Sequence, residues 1–256
     1  MKQTKHHLSI HIDEAGRGPL AGPVWVGGIM KLGSLSKSEL SPFQDSKTLT
    51  AARREQAYQI ISRLEESGKL IYAGGNASAR DIDTHGIIRS LQYACIKMIY
   101  NLIIKRYRST GRAVLSQSTK QQDKEFVTYM DVHCDALSKR KPNMETTLLV
   151  VKYFLHAAQS VFVFDGLVLD GNHTFGLDKA LDCKVTTIIK GDASNPLISA
   201  ASIVAKVQRD AYMQGLDKRY PQRQFGIHKG YGTAAHTALI AKRGPSKEHR
   251  KTWLHG

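Results

Sequence analysis

Apolar and polar positions alternate near the start of the chain: Leu8, Ile10 and Ile12 fall between polar neighbours with the two-residue period of a half-buried strand. That strand leads into two adjacent carboxylates, Asp13 and Glu14, and then into a turn rich in Gly and Pro over 16–23. Residues 24–30 read as a second strand, so the first two elements make a hairpin. The loose dinucleotide-type pattern G-x-G-x-x-A at 16–21 fails on context. Such a turn must open a helix, whereas Pro19 and Pro23 bracket this one and a strand follows. Thr50 caps a predicted helix in which Ala57, Ile60, Ile61 and Leu64 share one face, and Ser67-Gly68 closes it. Residues 70–73 read as a third strand ended by Gly74-Gly75. A long helix then starts at Ser78, with Ile88, Leu91, Cys95, Met98 and Leu102 as its core stripe.

Between about 108 and 147 the periodicity disappears, most completely over 116–124, although Phe126, Val127, Tyr129 and Met130 leave room for a short packed element. Residues 148–158 read as an apolar helix, and 161–164 open a buried strand. Two Asp-Gly pairs then compete to place a carboxylate. Asp165-Gly166, between apolar runs, reads as a hairpin turn, while Asp170 lies nearer Asp192; on these residues alone the choice between the two stays open. The β-branched run 185–189 is a strand that delivers Asp192. Asn195-Pro196 starts a helix whose Leu197, Ala200, Ala201, Val204 and Val207 pack closely on the sheet. Beyond Tyr220-Pro221 the chain is basic and Gly-rich, with a short helix stopped by Gly244-Pro245.

Composition narrows the partner. The 256 residues carry a net charge of +15 with a pI near 9.7, a field that attracts polyanions, so nucleic acid is the expected partner. The excess is concentrated at the end: 217–256 holds nine Lys or Arg against two acids, a net of +7. A length of 256 residues suits one domain, or one domain with an appendage, and a hydrophobic content of 41% is enough to bury a core. No apolar run approaches a membrane span and 1–7 lacks the apolar stretch of a secretory signal, so a cytoplasmic protein without a membrane partner is expected. Cys95, Cys134 and Cys183 form no C-x-x-C pair and read as reduced structural thiols. The eleven histidines contain no H-E-x-x-H and are expected at the surface, in the core or against phosphates rather than on a metal.

Paired carboxylates beside a turn that lets backbone N–H groups and Arg17 approach a phosphate suggest metal-assisted phosphoryl chemistry. The run 12–23 resembles the signature of ribonuclease HII, the type 2 ribonuclease H family. Asp45-Ser46-Lys47, Leu169-Asp170-Gly171-Asn172, Lys190-Gly191-Asp192, 199–210, 228–233 and the closing 248–253 are similar to its remaining blocks, in order. The resemblance implies an α/β ribonuclease H-like fold, a mixed central sheet flanked by helices. The catalytic domain is expected over 1–215, with 108–147 as an insertion, and a basic helical nucleic-acid-binding segment over 216–256. It assigns Asp13, Glu14, Asp170 and Asp192 to a catalytic metal site for two Mg²⁺ or Mn²⁺ ions, hard cations that want oxygen ligands. It gives reading of the RNA 2′-OH to Gly16, Arg17, Gly18 and Tyr231. Lys47, Lys190 and Lys229 lie beside the motifs and are candidate phosphate contacts.

The implied activity is endonucleolytic cleavage, by a monomer, of RNA in RNA/DNA hybrids and of duplex DNA at embedded ribonucleotides, leaving 5′-phosphate and 3′-hydroxyl ends. Two alternatives stay open: a four-carboxylate 3′-5′ exonuclease and a non-catalytic hybrid-binding protein. One geometric condition accompanies the site. Consecutive strand residues point to opposite faces, so Asp13 and Glu14 share a site only if the strand ends or bends there.

Overall fold

Strand β1 (His6–Ala15) pairs antiparallel with β2 (Val24–Lys31), and β2 pairs antiparallel with β3 (Leu70–Ala77). On its other side β1 is parallel to β4 (Phe162–Asp170), which is parallel to β5 (Val185–Ile188), giving a mixed sheet of order β3-β2-β1-β4-β5. The structure, a computed structural model, describes residues 6–43, 49–111, 128, 143–157 and 162–254. Asp45, Ser46, Lys47, Cys134 and most of the polar stretch, including 116–124, lie outside the described residues.

The helices are α1 (Lys37–Leu40), α2 (Ala51–Glu66), α3 (Ala79–Arg106), α4 (Met144–Ala157), α5 (Leu177–Leu181), α6 (Gly191–Ser194), α7 (Pro196–Arg219), α8 (Phe225–His228) and α9 (Ala234–Arg243). Their starts follow from capping. Thr50 Oγ1 accepts the Arg53 N–H. Ser78 and Asp81 form a reciprocal capping box. Asn195 Oδ1 accepts the N–H groups of Leu197 and Ile198, with Pro196 in the first turn. Helix α7 runs through residue 215, the expected end of the catalytic domain.

Helices α3 and α4 cover one face of the sheet over Leu8, Ile10, Ile12, Val24, Val26, Leu167 and Leu169, while α2 and α7 cover the other over Ile29 and Leu70. With both faces buried, the polar positions of β1 are buried too, among them His11 and Asp13. Glycines set how close the helices come. A Cβ on Gly27 would lie 2.1 Å from the Ala201 carbonyl oxygen in α7, and one on Gly75 would lie 2.2 Å from the Ala94 carbonyl oxygen in α3. Gly27→Ala is therefore expected to lower stability by ~1–3 kcal/mol through overpacking. Gly215→Ala, in α7 with nothing within 4 Å, should instead raise it by about 1 kcal/mol; urea midpoints of the two variants check the pair.

Four expectations are corrected. Strand β3 does not stop at Gly74-Gly75 but continues to Ala77, because those glycines are where a helix side chain and backbone press on the strand. Asp165-Gly166 is no hairpin turn: β4 continues through it, and the register against β1 jumps from Leu8–Phe164 to Ser9–Gly166, so Asp165 is the extra residue of a β-bulge. Ile88 is 39% exposed, since Gly86 (φ 75°, ψ 162°) interrupts α3 and the buried stripe begins at Leu91. By length and composition 79–109 is also apolar enough to cross a membrane, although 56% of its apolar window is buried inside this fold.

Candidate active site

Three neighbouring strands bring their acids to one edge. Ile12 pairs with Leu169 and Asp170 with Ile188, so Asp13 and Asp170 stand side by side at the C-terminal ends of parallel β1 and β4. Asp192 follows β5 in α6. One carboxylate oxygen from each of Asp13, Asp170 and Asp192 lies within 4.8 Å of the others, with Asp13 and Asp192 buried. This is the rim at which open α/β sheets bind ligands. Asp170 Oδ1 accepts the Gly191 N–H at 2.6 Å and the Asp192 N–H at 3.4 Å, which ties α6 to the end of β4. The backbone makes room for this: Lys190 is left-handed (φ 55°), and a Cβ on Gly191 would meet Ile198 at 2.6 Å.

Burial, with the Glu14 and Asp170 charges adding, pushes the Asp13 carboxyl up to about 7. The Glu14 N–H, 2.7 Å from Asp13 Oδ1, offsets part of this, as does the buried Ser202 hydroxyl facing the carboxyl without a full hydrogen bond. Like charges this close and this dry call for a cation, and an all-oxygen donor set suits a hard divalent ion. Glu14 lies outside the group of three. Strand β1 runs straight on to Ala15, so the Glu14 side chain leaves the sheet opposite to Asp13, where its charge is felt by Cys95 in α3 and where it approaches Arg17 Nη1 at 3.8 Å. Asp165 also lies outside, on the bulge, with its Oδ1 2.8 Å from His7 Nδ1 at the surface. Burial pushes both described thiols up, Cys183 to about 11, so neither is a nucleophile at neutral pH.

The turn after β1 is held from below by two buried arginines, which lie within the family-like blocks 199–210 and 248–253 but to which the sequence assigns no role. Arg250, fully buried, donates from Nη2 to the Gly16 carbonyl (2.5 Å), from Nη1 to Arg17 (2.8 Å) and from Nε to Gly22 (3.1 Å). Arg209, 2% exposed, donates to the carbonyls of Pro23, Ala21 and Lys229. Burial, with the Arg209 charge adding, pulls Arg250 down to about 9. A trans peptide points its N–H opposite its C=O, so carbonyls of Gly16 and Arg17 drawn down onto Arg250 aim the N–H groups of Arg17 and Gly18 away from it. Arg17 and Gly18 are exposed, so these donors face outward.

Tyr231 stands over the same support. Its ring, half exposed at 49%, lies 5.8 Å from the Arg209 guanidinium carbon, and the Gly230 carbonyl accepts the N–H groups of Leu20 and Ala21. The structure thus brings together Asp13, Asp170 and Asp192, and separately joins the Gly16–Gly18 turn to Tyr231 through Arg209 and Arg250. Lys190 is exposed and Lys229 half-buried, and Lys47 lies outside the described residues.

A mixed five-stranded sheet flanked by helices, with carboxylates gathered at one rim, defines a ribonuclease H-like hydrolase. Two solved structures share the fold over most of the chain: the RNase HII of the PCNA:RNase HII complex from Archaeoglobus fulgidus (TM-score 0.53, 19% identity, 96% of this chain and 95% of that one) and the ribonuclease H2 from Pyrococcus horikoshii OT3 (TM-score 0.53, 19% identity, 96% and 93%). The sequence matches the family described as Ribonuclease HII over residues 10–146 and 155–255. It is 33% identical to the ribonuclease HII of Hyphomonas neptunium over 248 residues, 96% of this chain and 93% of that protein. The chain belongs to the ribonuclease HII family: it is a hydrolase acting on RNA, and its carboxylate group is consistent with metal dependence.

Proposed function

We propose that this enzyme cuts internally in the RNA strand of RNA/DNA hybrids, and at ribonucleotides embedded in duplex DNA, leaving 5′-phosphate and 3′-hydroxyl ends. The observation that carries the reading is the placement of the carboxylate group beside a turn whose N–H donors face outward. Two Mg²⁺ or Mn²⁺ ions held by Asp13, Asp170 and Asp192 would supply Lewis acidity at the scissile phosphate and neutralise the charge that builds there; Glu14, on the opposite face of β1, would join them as the fourth carboxylate only if the end of that strand turned. The residues around them do the selecting. The outward N–H groups of Arg17 and Gly18 are donors for a 2′-OH, which DNA lacks, and the exposed Tyr231 ring is a wall for the sugar. The guanidinium of Arg17 and the exposed lysines of the C-terminal segment, Lys247 among them, hold phosphates and fix register without reading the base or the sugar.

Incubation with an internally labelled hybrid, with and without Mg²⁺ or Mn²⁺, is the direct test. Metal-dependent internal cuts support the proposal. End-stepping products would indicate an exonuclease, and binding alone a non-catalytic hybrid reader. Two variants refine the site. Asp170→Asn should abolish cleavage and Asp165→Asn leave it near normal, because only Asp170 stands in the carboxylate group; the reverse result would move the third ligand to the bulge. Tyr231→Ala should change the ratio of activities on a singly embedded ribonucleotide and a long hybrid, by about tenfold if one polar contact is lost. Lys247→Ala should weaken both substrates alike and flatten the salt dependence. Equal ratios in both variants would remove Tyr231 from sugar recognition.

A further inference from the structure

Two histidines near the C-terminus, His236 and His249, make a hydrogen-bond chain whose proton positions are fixed from both ends, and the ring of a third, His228, stacks on it. At one end the Ser246 N–H, which can only donate, lies 2.9 Å from His249 Nδ1, so that nitrogen accepts and the His249 proton sits on Nε2. His249 Nε2 is 3.1 Å from His236 Nε2, which therefore accepts, leaving the His236 proton on Nδ1. At the other end His236 Nδ1 is 2.8 Å from the Tyr231 carbonyl oxygen, which can only accept and so demands that same proton. His228 obeys the same logic: its Nδ1 accepts the Gly230 N–H at 3.0 Å, and its Nε2 donates to the Arg223 carbonyl at 2.7 Å. Its ring stacks on His236 at 3.8 Å.

All three rings are thus neutral with a single tautomer each, and an extra proton on any of them would face an N–H. The charged surroundings act in the same direction. The Arg223 guanidinium, bonded to the carbonyls of Gly244 and Arg243, faces His236 and His249, and the Phe225 ring packs against all three imidazoles. Burial, with the neighbouring His236 and Arg223 adding, holds His249 down at about 4, and burial also lowers His236.

The two ends of the chain attach to the two parts of the substrate-reading surface. One end is the Tyr231 carbonyl. The other is His249, which bridges to Ala21 and directly precedes Arg250, whose guanidinium holds the Gly16–Arg17 peptide planes. We propose that His228, His236 and His249 are positioning residues which hold the Tyr231 loop in register with the Gly16–Gly18 turn, and do so only while all three rings are neutral. This rests on the reading of Tyr231 and the turn as the substrate-contacting surface, and the tests separate the two ideas.

The first test needs no activity. Imidazole nitrogen NMR of the intact protein should show His249 protonated on Nε2 and His236 on Nδ1. On acidification the His236 and His249 rings should hold their neutral form below the ordinary histidine range and then change together with the amide signals of Tyr231 and Arg250. Independent titration near the ordinary value, or a His249 proton on Nδ1, would overturn the proposal. The second test is kinetic. His236→Asn keeps a donor for the Tyr231 carbonyl but cuts the link to His249, whereas His236→Phe removes both. KM for the hybrid should rise about fivefold in the first and about 25-fold in the second, one hydrogen bond being worth about a factor of five, with kcat near that of the unmodified enzyme. A merely structural role would lower the active fraction, and so kcat, at unchanged KM; that pattern in the folded Asn variant overturns the proposal. If the unmodified enzyme cut no hybrid, the reading of its substrate would fail while the NMR result still judged the histidine chain.

Discussion

Asp13→Asn is expected to abolish cleavage and, in the metal-free protein, to raise stability. The two effects have one origin. Asp13 is 6% exposed, and burial beside Glu14 and Asp170 pushes its carboxyl from 3.8 up to about 7. Between about pH 4 and 7 the folded protein therefore holds a proton that the unfolded chain has released, and stability falls as pH rises through that window. Above pH 7 the loss levels off at ~4 kcal/mol, since the window spans about three pH units at roughly 1.4 kcal/mol each. An asparagine carries no charge to desolvate or repel, so at pH 8 without metal the variant should melt on the order of 5–10 °C higher and lose the pH dependence between 4 and 7. Added Mg²⁺ or Mn²⁺ should stabilise the unmodified protein strongly and the variant little. Cleavage should fall about 10³-fold or more, since the charge that retains the cations is gone. Thermal melts at pH 5 and pH 8, each with and without Mn²⁺, check the linkage. A variant that melts no higher at pH 8 would mean that Asp13 sits ionised without strain, and one that keeps its activity would take Asp13 out of the reaction.

What the sequence reveals and what it conceals divide along a physical line. The β1–β2 hairpin, the caps at Thr50, Ser78 and Asn195 and the strand ends that carry Asp13 and Asp170 are local features, written within a few residues of where they act. The bulge at Asp165 is not local: Asp-Gly reads as a turn from its own neighbours, and only the parallel pairing of β4 with β1 makes it an extra residue in a continuous strand. Ile88 fits the helical period, but Gly86 resets the phase of that period. Glu14 stands beside Asp13 in sequence, yet the unbroken strand turns it to the other face. Arg209 and Arg250 are the clearest concealed residues. In a chain of net charge +15 an arginine reads as a solvated cation, and nothing short of the folded backbone reveals that these two lie under the turn and bond its carbonyls. The histidine chain is concealed for the same reason: His228, His236 and His249 are spaced 8 and 13 residues apart, a pattern with no helical or metal-ligand period.

Arg250→Met is expected to give the second large effect, on stability and on substrate binding together. The guanidinium is fully buried and bonds the carbonyls of Gly16, Arg17 and Gly22, while among the described residues no carboxylate hydrogen-bonds to it. Methionine fills much of the same space, so the loss is chiefly polar: the buried Gly16 and Gly22 carbonyls and the part-buried Arg17 carbonyl lose their donor, at ~1–3 kcal/mol for each buried one before relaxation and ~3–5 kcal/mol in total once the turn adjusts. Arg250→Lys should recover only part of this, because a single ammonium cannot match the planar fork that reaches three separate oxygens. The adjustment is what should reach the substrate. Once the Gly16 and Arg17 peptide planes are free to rotate, the N–H groups of Arg17 and Gly18 lose their outward direction, and KM for a hybrid should rise on the order of tenfold or more. Asp13, Asp170 and Asp192 are placed by β1, β4 and α6 rather than by Arg250, so Mn²⁺ affinity measured by calorimetry should stay within roughly twofold of the unmodified protein. Raised KM with preserved Mn²⁺ binding would place Arg250 under the substrate-reading turn. A Met variant with unchanged urea midpoint and unchanged KM would mean that the turn holds its shape without the arginine, and the outward donors would need another cause.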